Sequence, residues 1–175
     1  MHHQIDVPRE QWNEIHSHLL RGYVEQAAVL FTKVSQTTDG LVFSSVRHHC
    51  FSAKEFDFQS AYHIELSDEA RGWMIQTAWR LGTAIVELHS HVSPKYPAVF
   101  SESDFNGFRE FVPHVWWRLR GRPYAAVVVA PTGLDGLVWA NDPDTPAPLA
   151  AIYAGSLHVT PTGRSILPRR RINVR

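Results

Sequence analysis

Residues 83–91, TAIVELHSH, combine a run of β-branched residues with two histidines. Side chains two positions apart in a strand point to the same face, so His89 and His91 should project together from its end. A helix is predicted just before this strand, with Ser67 as N-cap and Gly82 as its stop. The stretch therefore indicates a sheet with at least one helix packed on it.

The remaining pattern extends this helix and strand into one domain. The predicted helices cover 8–21 and 101–121, the second kinked or interrupted at Pro113, and the predicted strands cover 25–35, 41–51, 56–67, 123–131, 137–142 and 149–161. We therefore expect an α/β (α+β) fold, with a mixed, mostly antiparallel sheet sandwiched by helices. A single domain should span 1–175, with its core at about 8–160 and a basic tail at about 166–175.

Composition limits the classes of function. Seventeen basic residues balance seventeen acidic ones, so nucleic acid is not expected as a partner, and the arginine-rich stretch 168–175 is interpreted as a solvated tail or a partner contact. The lone Cys50 excludes an internal disulfide and a cysteine-rich zinc site. Neither a membrane-spanning run nor a signal-peptide pattern is evident, which favours a cytoplasmic protein with no membrane partner.

The tripeptide HSH occurs twice, at residues 16–18 and 89–91, but the two copies predict opposite geometry. His16 and His18 lie within a helical pattern, where two positions subtend about 200° and the side chains diverge. Only His89 and His91 are expected to converge on one ion.

A carboxylate follows the second pair, in the stretch SESD at 101–104. Two imidazoles, the Asp104 carboxylate and an open position for water are the ligand count of a catalytic zinc site. Two simpler interpretations stay open: Ser101 suits a helix N-cap, and Asp104 suits a first-turn acid stabilised by the helix dipole.

The spacing of these groups, HSH, nine residues and then SESD, resembles the His-x-His…Ser-x-x-Asp signature of the JAMM metallopeptidases, the active branch of the MPN-domain proteins. The predicted order of helices and strands is also similar over roughly residues 8–142. The resemblance implies the MPN/JAMM (cytidine deaminase-like) fold and a hydrolase that uses one zinc ion.

The resemblance also implies a role for each matching residue. His89, His91 and Asp104 would be the zinc ligands, and Ser101 would help to stabilise the oxyanion. Glu25, at the start of the first predicted strand, would be the general acid and base. Glu87 competes for that role, but it lies about 7 Å behind His89 along the same strand, so Glu25 is favoured.

Three features depart from the usual pattern of the family. The spacer before Ser101 has nine residues rather than seven, Val92 replaces a common proline, and Ala27 and Ala28 stand where Cys-Gly commonly follows the glutamate. These departures suggest a divergent, bacterial branch that keeps every catalytic group.

The implied function is cleavage after the C-terminal glycine of a ubiquitin-like protein, in precursor processing or deconjugation. Its partners would include the activating and conjugating enzymes of a bacterial operon of the kind that in some cases acts in antiphage defence. The modifier tail would lie along a sheet edge, near Tyr96 and Phe100. Two alternatives stay open: a peptidase that releases sulfur-carrier proteins in cysteine or cofactor biosynthesis, and a non-catalytic MPN scaffold.

Overall fold

A computed structural model describes residues 1–95 and 97–165 of the chain. Tyr96 and the predicted basic tail, about 166–175, lie outside the described residues. The strands are β1 (His3–Val7), β2 (Ala27–Gln36), β3 (Leu41–Cys50), β4 (Phe56–Gln59), β5 (Ile64–Leu66), β6 (Ala84–Ser90), β7 (Tyr124–Ala130), β8 (Gly133–Trp139), β9 (Ala147–Ala154) and β10 (Leu157–Val159), and the helices are α1 (Arg9–Leu19), α2 (Asp68–Leu81) and α3 (Glu102–Arg118).

The main sheet closes on itself. Its strands follow the order β1-β3-β2-β6-β7-β8-β9, and β9 pairs back onto β1, so seven strands form a closed barrel with β10 added beside β9. The expected α/β sandwich of the MPN/JAMM type is therefore wrong. The protein is mostly β, with three helices packed against the strands of the barrel.

The strand that closes the barrel, β1, was not predicted from the sequence. It runs parallel to both β3 and β9, with Ile5 opposite Phe43 on one side and Ile152 on the other. His3, Ile5 and Val7 are buried, while Gln4 and Asp6 between them are half-buried. A five-residue segment with a histidine at one inward position has too few apolar residues for its sequence to indicate a strand. It is a strand because it pairs with β3 and β9, which are distant in sequence.

Two hydrophobic cores lie on opposite faces of the barrel wall. The inner core joins inward residues of the seven barrel strands to Trp12, Ile15 and Leu19 of α1. The outer core places α2 and α3 against the outward residues of β2, β6, β7 and β8. Alternate residues of β6 accordingly face different cores: Val86 and Leu88 point inward, and Ile85 points outward. His89 shares the outward face, beneath α3.

The structure also corrects two local expectations, the single strand at 56–67 and an interruption of the third helix at Pro113. The predicted strand 56–67 is a hairpin of β4 and β5, because the Ser60 hydroxyl accepts hydrogen bonds from the backbone N–H groups of Tyr62 and His63 and so forms the turn. Helix α3 continues through Pro113 without interruption. Within the described ranges, no helix has the length and apolar character needed to cross a membrane.

Candidate metal centre

Four candidate residues from three elements meet at one end of β6. His89 lies in β6, and His91 directly follows it, its backbone N–H donating to the Val129 carbonyl at 2.9 Å. Asp104 lies in the first turn of α3. Glu25 comes two residues before β2, which runs antiparallel to β6 with Ala27 opposite His89. Folding thus brings together side chains that are far apart in sequence.

The geometry of the cluster suits a metal ion. The Asp104 carboxylate lies 3.4 Å from His89 Nε2 through Oδ1 and 3.5 Å from His91 Nε2 through Oδ2. Ligand atoms held about 2.1 Å from a tetrahedral zinc ion are about 3.4 Å apart. One ligand atom from each of His89, His91 and Asp104 lies within 4.8 Å of the others.

The buried Nε2 of His89 supports the same assignment. Asp104 Oδ1 lies 3.4 Å from this atom but without hydrogen-bond geometry, and no other residue that the structure describes hydrogen-bonds it. A buried polar nitrogen normally has a partner, and a cation coordinated at Nε2 would supply one. The nitrogen and oxygen donors of this set are those that zinc accepts.

The charges of the cluster are coupled. Burial alone would lower the pKa of His89, but the carboxyl groups of Asp104, Glu87 and Glu25 together, Asp104 foremost, outweigh burial and raise that pKa to about 9. For Asp104, burial acts to raise the pKa, but the His89 imidazolium and the hydrogen bonds to the carboxylate hold it well below its usual range. Without an ion, the site therefore holds a cationic imidazole against an anionic carboxylate.

Ser101 holds the Asp104 carboxylate in place. It is the N-cap of α3, and its Oγ accepts a hydrogen bond from the Asp104 backbone N–H at 3.2 Å. The Ser101 hydroxyl and backbone N–H donate to Asp104 Oδ2 at 2.8 Å and 2.6 Å. The N-cap interpretation of Ser101 is thus confirmed, and the first-turn position of Asp104 is as expected. An oxyanion role for Ser101 stays a prediction.

Glu25 is buried beside the cluster, with Oε1 3.9 Å from His91 Nε2. The β4–β5 turn fixes its backbone: its N–H donates to the Ser60 carbonyl at 2.8 Å, and its carbonyl accepts from the Gln59 side chain at 2.9 Å. Burial raises the pKa of the Glu25 carboxyl, and the charges of His89 and His91 oppose that rise. A buried carboxylate with a raised pKa suits proton transfer.

The competing Glu87 is engaged elsewhere. It accepts a hydrogen bond from the hydroxyl of the fully buried Tyr124, on the same outer face as His89. Burial raises the pKa of the Glu87 carboxyl, and the Tyr124 hydrogen bond opposes that rise. Of the two acids, Glu25 is the one with a carboxylate within 4 Å of a histidine of the cluster.

The first HSH copy lies apart from the cluster. His16 is exposed against the Trp12 ring, and His18 Nε2 lies 3.1 Å from the Ala27 carbonyl oxygen. Cys50 is half-buried at the end of β3, where burial raises the pKa of its thiol.

A supporting network behind the site was not predicted from the sequence. Asp135, buried in β8, accepts hydrogen bonds from the backbone N–H groups of Gly136, Gly163 and Ser165 at 2.9, 3.0 and 2.7 Å. This network, which we call the Asp135 latch, holds the segment 162–165 against the loop before Ser101. Thr162 Oγ1 donates to the Ala98 carbonyl at 3.0 Å, and the Phe100 N–H donates to Ser165 Oγ at 3.0 Å.

Comparison with known proteins does not assign the chain to a family. No family model matches the chain, and no curated protein matches it. Among solved structures, the chain is similar to a protein from Salinibacter ruber whose structure was determined in solution. The two are 17% identical over 86% of this chain and 92% of that chain, with a TM-score of 0.44.

Proposed function

We propose that the protein is a zinc-dependent hydrolase that cleaves the peptide or isopeptide bond after the C-terminal glycine of a ubiquitin-like protein. The observation that carries the proposal is the convergence of His89, His91 and Asp104 beside a buried carboxylate, Glu25. The proposal rests on this site and on its similarity to the JAMM signature, and it does not depend on the expected fold.

The residues of the site divide the chemistry between them. His89, His91 and Asp104 would hold the zinc ion, which supplies Lewis-acid polarisation of a water and of the amide carbonyl. Ser101 keeps the Asp104 carboxylate turned toward the two histidines through its two hydrogen bonds to Oδ2. For an oxyanion role, the Ser101 hydroxyl would release Oδ2, which the Ser101 backbone N–H would still hold, and turn its one proton toward the developing oxyanion.

Glu25 would move the proton. Its Oε1 takes a proton from the attacking water, the new C–O bond forms at the carbonyl carbon, and the C–N bond breaks. The same Oε1 then returns the proton to the leaving amine, so that a carboxylic acid and an amine are the products, and the acid afterwards loses its proton to solvent. The fixed backbone of Glu25 and its burial hold this carboxylate in one position while the proton moves.

The closed barrel restricts how an extended tail can approach. Strand addition needs a free strand edge, and β2, β6 and β7 are each paired on both sides. The separate hairpin β4–β5 touches Glu25 through Gln59 and Ser60, which makes it the two-stranded sheet beside the site. We therefore place the tail along this hairpin rather than along the barrel.

The proposal is tested by measuring metal content and cleavage together. Purified protein should bind about one zinc and cut a ubiquitin-like fusion after its terminal glycine. Glu25→Gln should keep zinc and lose at least about 100-fold in kcat, the usual range for loss of a general base. His89→Ala and Asp104→Ala should lose both zinc and cleavage, whereas the exposed His16→Ala should keep both.

Three outcomes would change the assignment. Normal cleavage by Glu25→Gln would refute the role of Glu25. Zinc binding without cleavage of any tail would favour the non-catalytic scaffold. Cleavage only of a sulfur-carrier tail that ends in a small amine, and not of a fusion to a folded protein, would favour the biosynthetic peptidase.

A further inference from the structure

A groove of about 550 Å³ opens directly onto the metal centre. Its floor is the outer face of β6, where Glu87 precedes His89, and one wall is the face of α3 that carries Asp104, Gly107 and Phe111. Strand β5 and the start of α2 form another wall. We call this cavity the side groove. Its volume is that of a pocket for a small ligand or a large side chain.

Gly107 keeps the side groove open. It lies inside α3, where glycine costs about 1 kcal/mol relative to alanine. A Cβ placed at this position would meet no atom within 4 Å, so packing does not demand glycine there. A larger side chain at position 107 would instead project toward the groove that this residue lines. A glycine that weakens its helix and borders a cavity beside the site is expected where a ligand must fit.

The proposed reaction decides which part of the substrate has a use for this groove. The acyl side of the scissile bond ends in glycine, which has no side chain to fill a cavity of this size. The group that enters the groove therefore belongs to the amine side, the residue whose nitrogen is released. This step rests on the proposed function.

The walls of the groove define the chemistry of that residue. Leu66, Met74 and Phe111 provide apolar surface along its length. Besides Asp104, three carboxyl groups border it, those of Glu65, Glu87 and Glu110, against the guanidinium of Arg71 and the imidazoles of His63, His89 and His114. The Arg71 guanidinium lies over the Phe111 ring, 5.9 Å from its centroid, with its nitrogens 3.8 Å from a Glu65 carboxylate oxygen and 3.9 Å from an Asp68 carboxylate oxygen. An apolar stem that ends in a positive charge matches these walls.

We propose that the side groove binds the residue on the amine side of the scissile bond and selects a long, positively charged side chain there. Lysine fits this description, and glutamate is the side chain that the groove should reject most strongly. Norleucine, which has a similar stem without the charge, should fall between them.

The first test compares four substrates in which the tail glycine is followed by Lys, norleucine, Glu or Gly. The wild-type kcat/KM should be at least about 10-fold higher for Lys than for Glu, which corresponds to about 1.4 kcal/mol. Gly107→Leu should lower kcat/KM for Lys and norleucine by about 10-fold or more and leave the Gly substrate within about twofold. Glu87→Gln should reduce the preference for Lys over norleucine.

Gly72→Leu is the matched control. Gly72 lies inside α2, is exposed, and its added Cβ would also meet no atom within 4 Å, but it does not line the groove. Both substitutions improve helix propensity by a similar amount. Gly72→Leu should therefore leave all four kcat/KM values unchanged.

A second measurement separates this inference from the proposed reaction. Calorimetry should detect binding of lysinamide to zinc-loaded wild-type and Gly72→Leu protein, and weaker or no binding to Gly107→Leu. If no tail is cleaved but this pattern is found, the groove assignment stands and the proposed hydrolase falls. If wild-type protein does not bind lysinamide, or Gly107→Leu binds and cleaves as wild type does, the groove assignment is overturned.

Discussion

The Asp135 latch predicts the effect of a substitution that changes one atom, Asp135→Asn. Asp135 is only 1% exposed and accepts three backbone hydrogen bonds: Oδ1 accepts from Gly136 and Gly163, and Oδ2 accepts from Ser165. Asparagine can keep the two bonds to Oδ1. Its amide nitrogen, however, would face the Ser165 N–H as a second donor, so that bond is lost and two buried donors oppose each other.

The magnitude follows from these bonds. One hydrogen bond to a charged group contributes about 1.5–3 kcal/mol, and a buried donor left without a partner costs a further 1–3 kcal/mol or so. We therefore expect Asp135→Asn to lower the free energy of unfolding by about 2.5–6 kcal/mol. For a chain of this size, such a loss lowers the Tm by about 5–24 °C.

The effect should also reach the metal centre. Ser165, which loses its bond to Asp135, accepts the Phe100 N–H, and Phe100 directly precedes Ser101. Zinc affinity should therefore fall along with stability. Urea unfolding, thermal unfolding and a competitive zinc titration measure the three quantities.

The control for this prediction is Asp142→Asn. Asp142 accepts the N–H groups of Asp144 and Thr145 with the same oxygen, Oδ1, which asparagine retains. We expect a change below about 1 kcal/mol and unaltered zinc affinity. If Asp135→Asn proves as mild as this control, the latch does not stabilise the protein in the way described.

Three further substitutions and conditions test other parts of the site. With chelator present, the free energy of unfolding should fall by up to about 3 kcal/mol as pH rises from 6.5 to beyond 9. The reason is that the pKa of His89 is raised from 6.5 to about 9 in the folded protein, so that protonated His89 stabilises the fold fully below pH 6.5 and no longer does so above about pH 9. His89→Gln should flatten this pH dependence, which urea unfolding measures. Tyr124→Phe removes the donor to Glu87 and should cost about 1–3 kcal/mol in urea unfolding, and a neutral result would mean that Glu87 finds another partner. Phe100→Ala should lower the free energy of unfolding by about 3–5 kcal/mol and weaken zinc binding, because the centroid of the buried Phe100 ring lies 5.7 Å from that of the His89 ring. Unchanged zinc affinity would refute this coupling between Phe100 and the metal centre.

Local patterns in the sequence predicted most individual elements. Ser67 and Gly82 bound helix α2 as expected, because caps and stops depend on neighbouring residues. The β-branched residues before His89 predicted a strand for the same reason. The turn of the β4–β5 hairpin escaped prediction because serine makes it, without the glycine or proline that usually indicates a turn.

The overall architecture could not be predicted from local patterns. Barrel closure depends on pairing between β1 and β9, strands separated by most of the chain, and nothing near residues 3–7 indicates those partners. The candidate site shows the same limit. The spacing of His89, His91 and Asp104 was enough to group them as one site. The hydrogen bonds that connect Asp135, through Ser165, to the loop before Ser101 join segments far apart in sequence, so they could not be predicted in this way.

Barrel closure also has a consequence for the order of events during synthesis. β1 leaves the ribosome first, but its two parallel partners are β3 and β9, and β9 ends only at Ala154. The earliest strand therefore stays incompletely paired until nearly all the described chain has been made. Such long-range pairing slows folding, and the free edge of β1 offers a pairing site to other nascent chains in the meantime. The seam between β1 and β9 is thus the place where this protein is most vulnerable to misassembly.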